Sequence, residues 1–381
     1  MAIEKAQPHV ARLVVDARLA GHSGIGTYIA EVLPRVLPGL AEWRPLVLAA
    51  RGKRDAIVAL SGAGAEVRVW SVAPLSARDL WAAPPGIGPD DLVWTPHFNV
   101  PLRSRCALAV TLHDVLPLTS PALAGRGRSA AVHTWLRAIR RRARAVLCVS
   151  EFTQSEVVRL GGVASDRIIV TPLGADRAWF EAGAGNMQPV PAPAVPTIIF
   201  VGLMKPHKNV LRLLRAFIRV RDRIPHRLVL VAKHRNLRNV DRAALALATS
   251  MPDRVELVED LPFPELVKRV SQAQFAVQPS LHEGFGLPAL EAMAAGVPVL
   301  ASNAGALPEV CGEAAVYCDP RSEDEIARCL LLLASDEALR KRLSAAGRLR
   351  AQGFTWEACA HITQNALRDA LQFHSAMRVN G

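Results

Sequence analysis

The sequence predicts an α/β protein with two doubly wound, Rossmann-like domains. Short apolar runs alternate with helix-compatible stretches along the whole chain, which is typical of a parallel sheet with helices on both faces. The alternation is interrupted once, by a stretch rich in Pro, Gly and Ala. At 381 residues the chain also has the length of about two ordinary domains.

Each half contains a series of apolar runs that we predict to be buried strands. In the first half they are Leu13–Val15, Leu46–Leu48, Leu92–Trp94, Leu108–Thr111, Ala145–Cys148 and Ile168–Val170. In the second half they are Thr197–Val201, Leu228–Val231, Val255–Val258, Phe275–Val277 and Val297–Leu300, followed by long helices from about Glu323 to Arg350 and from Trp356 to about Phe373. The predicted domains are 1–185 and 197–360, with a linker at 186–196. Two such halves predict a cleft between facing domains, with ligands at the carboxyl ends of strands.

The net charge of +12 is concentrated in one segment. No acidic residue lies between Asp114 and Glu151, whereas seven arginines do, and four apolar residues repeat there at helical spacing: Val132, Trp135, Leu136 and Ile139. One interpretation is a solvated helix whose apolar face packs on its own domain. The other is a surface that docks on anionic lipid headgroups through Arg137, Arg140, Arg141 and Arg144. Nucleic acid is not predicted as a partner, because no recognition motif accompanies the charge.

Cysteines and carboxylates give no sign of a metal site. The six cysteines are scattered without a C-x-x-C pair, and no D-x-D dyad of the kind that holds a metal-bound diphosphate occurs. The first residues form too short an apolar run for a secretory signal, and no run is long enough to span a membrane. We therefore predict a cytoplasmic protein with no metal and no cofactor, free or held at the inner face of the membrane.

In each half of the chain, one glycine-containing segment follows the first predicted strand. Gly24 and Gly26 lie in Gly21–Thr27, where the backbone could approach a phosphate closely, although a plain tight turn explains them as well. The spacing differs from the dinucleotide fingerprint G-x-G-x-x-G, which disfavours an oxidoreductase. In the second half Gly202 is followed by Lys205 and Lys208, which suit a diphosphate. An ordinary basic loop with Asn209 as the helix cap is the alternative.

The strongest motif is Glu283–Glu291, EGFGLPALE, after the strand that ends near Ser280. Pro288 favours a helix start, which places Glu291 near the positive end of the helix, where a carboxylate is stabilised. Two carboxylates so placed can accept hydrogen bonds from sugar hydroxyls. Backbone N–H groups for a diphosphate would lie between them, in Gly284, Phe285, Gly286 and Leu287.

Several motifs in order resemble glycosyltransferase family 4 over nearly the whole chain. They are VDAR…GIGTY, Thr111–Asp114, Val149–Thr153, VGLMKPHKN, PSLHEGFGLPALEAMAAGVPVLAS and Leu307–Val310. The resemblance implies the GT-B architecture of two Rossmann-like domains, with a C-terminal helix, 361–381, that packs back towards the first domain. It also implies that His113, Lys208 and Glu283 are catalytic, with Glu291 on the ribose and the glycine segments near the donor.

The resemblance further implies a retaining hexosyltransferase whose leaving phosphate acts as the base. Its donor would be a nucleotide sugar, and its acceptor a glycan or a polyprenyl-linked oligosaccharide. The form of the motifs is similar to the branch that builds bacterial surface polysaccharides, which favours α-mannosyl transfer from GDP-mannose. A UDP- or dTDP-sugar, with glucosyl or rhamnosyl transfer, is the alternative.

One position departs from the common family pattern. Leu203 follows Gly202 where many relatives have arginine, so Lys205 or His207 could supply the second positive charge. Two alternatives from other classes are an oxidoreductase and a non-catalytic adaptor on a degenerate transferase fold. The second is disfavoured by the presence of Glu283, Glu291 and Lys208.

Overall fold

The computed structural model describes residues 11–76, 78–79, 81–84, 86–119, 128–184, 194–235 and 239–379. The described residues of 11–172 and 356–379 form one compact unit, and those of 173–355 form a second. Most of the linker predicted at 186–196 lies outside the described residues, as does Arg126, one of the seven arginines between Asp114 and Glu151.

The first unit is built on a seven-stranded, wholly parallel sheet in the order β3-β2-β1-β4-β5-β6-β7. Its strands are β1 (Leu13–Asp16), β2 (Leu46–Ala49), β3 (Glu66–Val69), β4 (Leu92–Thr95), β5 (Ala107–Leu112), β6 (Ala143–Cys148) and β7 (Ile168–Val170). Its helices up to residue 172 are α1 (Ser23–Val36), α2 (Arg54–Ser61), α3 (Leu116–Thr119), α4 (Arg128–Arg142) and α5 (Glu151–Gly161), with 3-10 turns at Leu37–Trp43 and Ser165–Arg167. All six strands predicted in this half are present.

The basic helix α4 has the apolar face that the sequence predicts. Val132, Trp135, Leu136 and Ile139 are buried in the core of the first unit. Arg142 is half-buried and donates hydrogen bonds to the backbone oxygens of Pro101 and Cys106. The apolar face of the helix therefore packs on its own domain, as the first interpretation expected.

The second unit has a six-stranded parallel sheet in the order β10-β9-β8-β11-β12-β13. Its strands are β8 (Thr197–Leu203), β9 (Arg227–Lys233), β10 (Val255–Val258), β11 (Phe275–Gln278), β12 (Val299–Ser302) and β13 (Ala315–Cys318). Its helices are α6 (Arg177–Gly183), α7 (Val210–Val220), α8 (Arg242–Thr249), α9 (Phe263–Ser271), α10 (Leu287–Ala294), α11 (Leu307–Cys311), α12 (Glu323–Ser335) and α13 (Glu337–Ala351), with 3-10 turns at Pro206–Lys208 and Gly312–Ala314. This is the strand order of a Rossmann fold.

The chain then returns to the first unit as α14 (Trp356–Val379), which packs against α1. The return begins at residue 356, earlier than the predicted domain end at 360. The other boundary also differs, because residues 173–184 belong to the second unit rather than to the first. The physical reason is α6, whose Trp179 is buried edge-on against Phe263 at 5.7 Å between ring centroids.

Three further details differ from the sequence prediction. The edge strands β3 and β13 were not predicted: charged residues interrupt β3 (EVRV), and β13 (AVYC) is a short, partly buried apolar run that was not singled out. The single helix predicted from Glu323 to Arg350 is two helices. Asp336 ends the first in an extended conformation and caps the second by accepting a hydrogen bond from the backbone N–H of Leu339 at 2.8 Å.

Candidate active site

The topological switch point of the second sheet lies between β8 and β11, whose carboxyl ends lead into loops 204–209 and 279–286. The strands are all parallel, but successive strands are added outward in opposite directions on either side of this point, so the two loops leave a crevice at the strand ends. The backbone N–H of Leu281 donates to the oxygen of His207 at 2.8 Å, which joins the two loops. Asn209 joins them again, because its side-chain amide donates to the oxygens of Pro279 and Pro320 at 2.9 and 2.7 Å.

Lys208 and Glu283 meet in this crevice. The Lys208 ammonium lies 2.6 Å from Glu283 Oε1, and Ser280 Oγ donates to the same oxygen at 2.7 Å. Burial by itself would raise the pKa of Glu283, but Lys208 and Ser280 outweigh it and hold that pKa below its ordinary value. The site therefore presents a buried carboxylate and an ammonium side by side, where a diphosphate and a hydroxyl-bearing ring could each find a partner.

Gly305, in the loop after β12, lies against the backbone of Glu283 and supports it. The backbone N–H of Ala306 donates to the oxygen of Glu283 at 2.9 Å. Gly305 has φ +67°, and a Cβ at this position would lie 2.6 Å from the Glu283 oxygen and 2.7 Å from its nitrogen. Only glycine permits so close an approach of two backbone segments.

We expect Gly305→Ala to displace Glu283 and to lower the transfer rate by roughly 10-fold or more, because a misplacement of about 1 Å can cost 10²-fold. Gly52→Ala is the matched control, since Gly52 has φ +78° but nothing within 4 Å of its Cβ position. Both variants carry the strain of a positive φ, but only Gly305→Ala adds a clash with the Glu283 backbone, so its circular dichroism melt should fall further and it alone should lose activity. Equal activity in the two variants would contradict the supporting role of Gly305.

Glu291 lies in the second turn of α10, which begins at Leu287 with Pro288 in its first turn as predicted. The expectation that the helix end stabilises its carboxylate is wrong. Burial and the neighbouring Asp176 carboxylate raise the pKa of Glu291 to about 7. Desolvation and a like charge dominate this shift, so that Glu291 titrates near neutral pH.

The residues around the Lys208 turn differ from expectation in two ways. We expected a turn at Gly202, but β8 continues to Leu203 and Gly202 pairs with Ala232. His207 adds no positive charge at neutral pH, since burial and the adjacent Lys208 lower its pKa to about 3. Lys205 is half-buried and immediately precedes the 3-10 turn that carries Lys208.

The glycine turn between the two glutamates is built around a buried aromatic ring. Phe285 is 4% exposed and contacts Phe354 edge-on at 5.8 Å between centroids. Its side chain therefore belongs to the core. Gly286 caps the start of α10, with Gly284 before it and Leu287 as the first helical residue. Any contact of this turn with a ligand would come from its backbone, as the sequence predicts.

In the first unit, Gly24 and Gly26 are not in a loop, because α1 begins at Ser23. Gly26 is required by packing, since a Cβ there would lie 2.7 Å from the backbone nitrogen of Gly21. Gly24 has nothing within 4 Å of its Cβ position. The two glycines therefore form the first turn of a helix that follows β1, at the carboxyl edge of the first sheet.

His113 directly follows β5, at the same carboxyl edge of the first sheet. Its Nε2 lies 3.1 Å from the backbone oxygen of Pro96. Burial lowers the pKa of His113 to about 4, so the ring is neutral at pH 7. A carbonyl can only accept, which places the proton on Nε2 and leaves the lone pair on Nδ1.

The four arginines predicted as a membrane or acceptor surface are all exposed: Arg137, Arg140, Arg141 and Arg144. The first three lie on α4 and the last on β6, where the Arg144 guanidinium stands 5.2 Å from the centroid of the exposed Phe373 ring. In the described ranges, no helix has both the length and the apolar composition needed to cross a bilayer. Nor do those ranges contain a group of three or more His, Cys, Asp or Glu residues placed to hold a metal ion.

Sequence reasoning missed four residues of the second-unit site. Ser280 and Gly305 hold Glu283, and Asp176 and Trp179 of α6 lie beside Glu291. Ser280 stands inside the quoted motif and could have been proposed from it. Asp176 and Trp179 carry no such signal, because they precede the linker and the pattern assigns them to the other half.

The second unit is thus a doubly wound α/β domain with Lys208 and Glu283 at its switch point, the place where such sheets bind ligands. Two family models match the chain, glycosyl transferases group 1 over residues 188–350 and Glycosyltransferase Family 4 over residues 91–179. The chain is 30% identical over 288 residues to O-antigen chain mannosyltransferase B of Escherichia coli, covering 72% of this chain and 73% of the relative. The chain belongs to glycosyltransferase family 4 and is a transferase.

A second relative is the MMP alpha-(1->4)-mannosyltransferase of Mycolicibacterium hassiacum, 34% identical over 222 residues. That match covers 57% of this chain and 52% of the relative. The D-inositol 3-phosphate glycosyltransferase of Kribbella flavida is 28% identical over 316 residues, which cover 79% of this chain and 69% of the relative. The chain thus resembles transferases whose names specify different acceptors.

Solved structures show that the fold is GT-B. Sucrose-phosphate synthase from Thermosynechococcus elongatus has a TM-score of 0.73 at 20% identity, covering 94% of this chain and 98% of that one. HepE from Anabaena, in complex with UDP and glucose, also has a TM-score of 0.73, at 15% identity, covering 94% and 99%. At these identities the likeness concerns the fold alone.

Proposed function

We propose that the protein is a retaining hexosyltransferase that moves an α-mannosyl group from GDP-mannose to a glycan or lipid-linked oligosaccharide in surface polysaccharide biosynthesis. The observation that carries the proposal is the buried pair of Lys208 and Glu283 at the switch point of the second sheet. The choice of mannose is supported by relatives named as mannosyltransferases. Family membership removes support from the oxidoreductase alternative.

Lys208, Glu283 and Glu291 each have a separate role in the proposed reaction. Lys208 neutralises the diphosphate as the bond between the anomeric carbon and the phosphate oxygen breaks, and the leaving group takes the electron pair. Glu283 accepts hydrogen bonds from hydroxyls of the transferred sugar, and Glu291 accepts them from the ribose. The acceptor hydroxyl attacks on the same face, and its proton passes to the leaving phosphate. Catalysis is then positioning and charge stabilisation.

The charge of the leaving diphosphate is balanced in this proposal without a metal, by Lys208, by Lys205 and by the N–H groups at helix starts. His113 contributes from the first domain, with its Nδ1 lone pair available to a hydroxyl of the reacting sugar. No step requires a cofactor.

A donor screen tests the proposal. Purified protein is mixed with GDP-mannose, UDP-glucose or dTDP-rhamnose, and donor hydrolysis and thermal shift are measured with and without EDTA. We expect GDP-mannose to give the largest thermal shift and the fastest hydrolysis, unchanged by the chelator. A preference for a UDP- or dTDP-sugar would support the alternative donor. The anomeric configuration of the first-formed product, followed by NMR, distinguishes retention from inversion.

We also propose that the exposed arginines Arg137, Arg140, Arg141 and Arg144 hold the protein at the anionic inner face of the membrane. Each basic residue near such a surface contributes roughly 1 kcal/mol. We expect the triple variant Arg140→Glu, Arg141→Glu, Arg144→Glu to lose sedimentation with phosphatidylglycerol vesicles. The control reverses three arginines that are exposed in the second unit: Arg321, Arg328 and Arg342. Equal sedimentation of the two triple variants would contradict this surface.

A further inference from the structure

Tyr28, the tyrosine of the GIGTY motif, lies completely buried in α1 against His113. The two rings meet edge to face, with centroids 4.9 Å apart and planes at 80°. Trp94 and Trp356 contact the same tyrosine ring, each at 6.4 Å between centroids. Tyr28 therefore forms a fixed aromatic wall on one side of the His113 imidazole.

The hydroxyl of Tyr28 is held by two threonines from distant parts of the chain. It lies 3.2 Å from Thr111 Oγ1 on β5 and 3.4 Å from Thr363 Oγ1 on α14. Trp94 Nε1 donates to Thr111 Oγ1 at 3.1 Å, which fixes that hydroxyl in turn. Burial raises the pKa of the Tyr28 phenol well above its ordinary value, so the group stays neutral. Its contribution is one of position rather than charge.

Two further contacts hold His113, one through its ring and one through its backbone. Nε2 meets the oxygen of Pro96, and the backbone oxygen of His113 accepts from Thr153 Oγ1 at 3.5 Å. These contacts fix one edge of the ring and its backbone. The tyrosine ring limits rotation of the imidazole about the bond to its Cβ, and so determines where Nδ1 points.

We propose that Tyr28, anchored by Thr363 of the C-terminal helix, is a positioning residue that aims Nδ1 of His113 at a hydroxyl of the transferred sugar. This inference rests on the proposed function. It makes α14 part of the catalytic apparatus although no residue of that helix need contact the substrate.

The test compares the two tyrosines of the chain. Tyr28→Leu removes the aromatic wall, Tyr28→Phe removes only the hydroxyl, and Thr363→Val removes its anchor. We expect kcat to fall about 10²-fold for Tyr28→Leu, by the cost of misplacing a catalytic group by about 1 Å. For Tyr28→Phe and Thr363→Val we expect a loss of roughly 3- to 10-fold, and the donor KM should stay constant in all three. The control is Tyr317→Phe, whose hydroxyl donates to Gly312 in the second unit; its kcat should be that of the unmodified protein.

A double-mutant cycle with His113→Ala separates positioning from a merely structural role. If Tyr28 acts through His113, Tyr28→Leu should cost nothing further in the His113→Ala background. The same fold-loss in both backgrounds would overturn the inference, as would full kcat in Tyr28→Leu alone. If Tyr28→Leu does not fold, Thr363→Val takes its place in the cycle, with the same two outcomes. Unimpaired activity of His113→Ala itself would instead contradict the role that the proposed function assigns to His113.

Discussion

Lys208→Met should lower kcat by about 10²- to 10³-fold, the loss that follows removal of one group stabilising charge in a transition state. Lys208 is the ammonium paired with Glu283 at 2.6 Å, in a site where both side chains are largely buried. In the proposed reaction it is also the main positive charge available to the leaving diphosphate. Steady-state rates with GDP-mannose measure the effect, and Lys208→Arg should retain part of the activity because the charge remains.

The same substitution should also destabilise the protein, and a double variant separates this effect from the loss of activity. Removing Lys208 leaves the Glu283 carboxylate buried without its ionic partner, at a cost of about 3 kcal/mol. The double variant Lys208→Met, Glu283→Gln has no unpaired charge, so we expect urea unfolding to show most of the stability restored. Activity should remain low in the double variant. Recovery of activity together with stability would show that the pair is structural only.

Glu291→Ala should lose most transfer activity while the protein remains folded, because it removes the two hydrogen bonds to the ribose that the proposed function assigns to Glu291. Hydrogen bonds to a charged group contribute about 1.5–3 kcal/mol each, so loss of two should lower the affinity for GDP by about 10²- to 10⁴-fold. Isothermal titration with GDP measures this loss. Glu313→Gln, an exposed glutamate in the same unit, serves as the control and should bind normally. Full activity of Glu291→Ala would exclude the assigned role.

The raised pKa of Glu291 adds a pH dependence with a defined sign. The carboxyl is protonated below about pH 7 in the folded protein, and only the ionised form accepts from two ribose hydroxyls at once. GDP should therefore bind more tightly as the pH rises through about 7. Glu291→Gln should remove this dependence, and Asp176→Asn should move its midpoint to lower pH, because Asp176 is a cause of the raised pKa.

The contribution of Glu291 to the stability of the free protein should fall as the pH rises, whereas the affinity for GDP should increase. An unfolded glutamate ionises near its ordinary pKa of 4.5, whereas folded Glu291 holds its proton to about pH 7. Its contribution therefore declines between about pH 4.5 and pH 7 and stays low above pH 7. Glu291→Gln should melt higher than the unmodified protein at pH 8 and alike at pH 4.5. A pH-independent difference between the two would contradict the raised pKa.

Much of the fold was predictable because it is encoded in local patterns. Every predicted strand is present, since continuous apolar runs such as Ala107–Leu112 are buried on both faces of a parallel sheet. The partly exposed edge strand Glu66–Val69 was missed because it lacks that pattern. The break at Asp336 was missed because a capping aspartate within a helical stretch resembles any other polar position.

The candidate site was predictable to the extent that its residues lie in a recognisable strand–turn–helix motif. Glu283, Pro288 and Glu291 follow one strand in a single motif, and Lys208 follows another. Their meeting was not predictable from spacing, because Lys208 and Glu283 are 75 positions apart. The raised pKa of Glu291 was also beyond reach, since it depends on burial and on Asp176, a residue that the pattern assigns to the other domain.

The sequence by itself determined the two-domain α/β class, the family and the identity of the acids and lysine after β8 and β11. Local periodicity and caps are properties of neighbouring residues, so they can be read along the chain. Only the tertiary structure decided that Lys208 pairs with Glu283, that Glu291 titrates near pH 7, and to which domain α6 and α14 belong. Those outcomes depend on desolvation and on contacts between residues far apart in the chain, and such contacts form only when the sheets and helices pack.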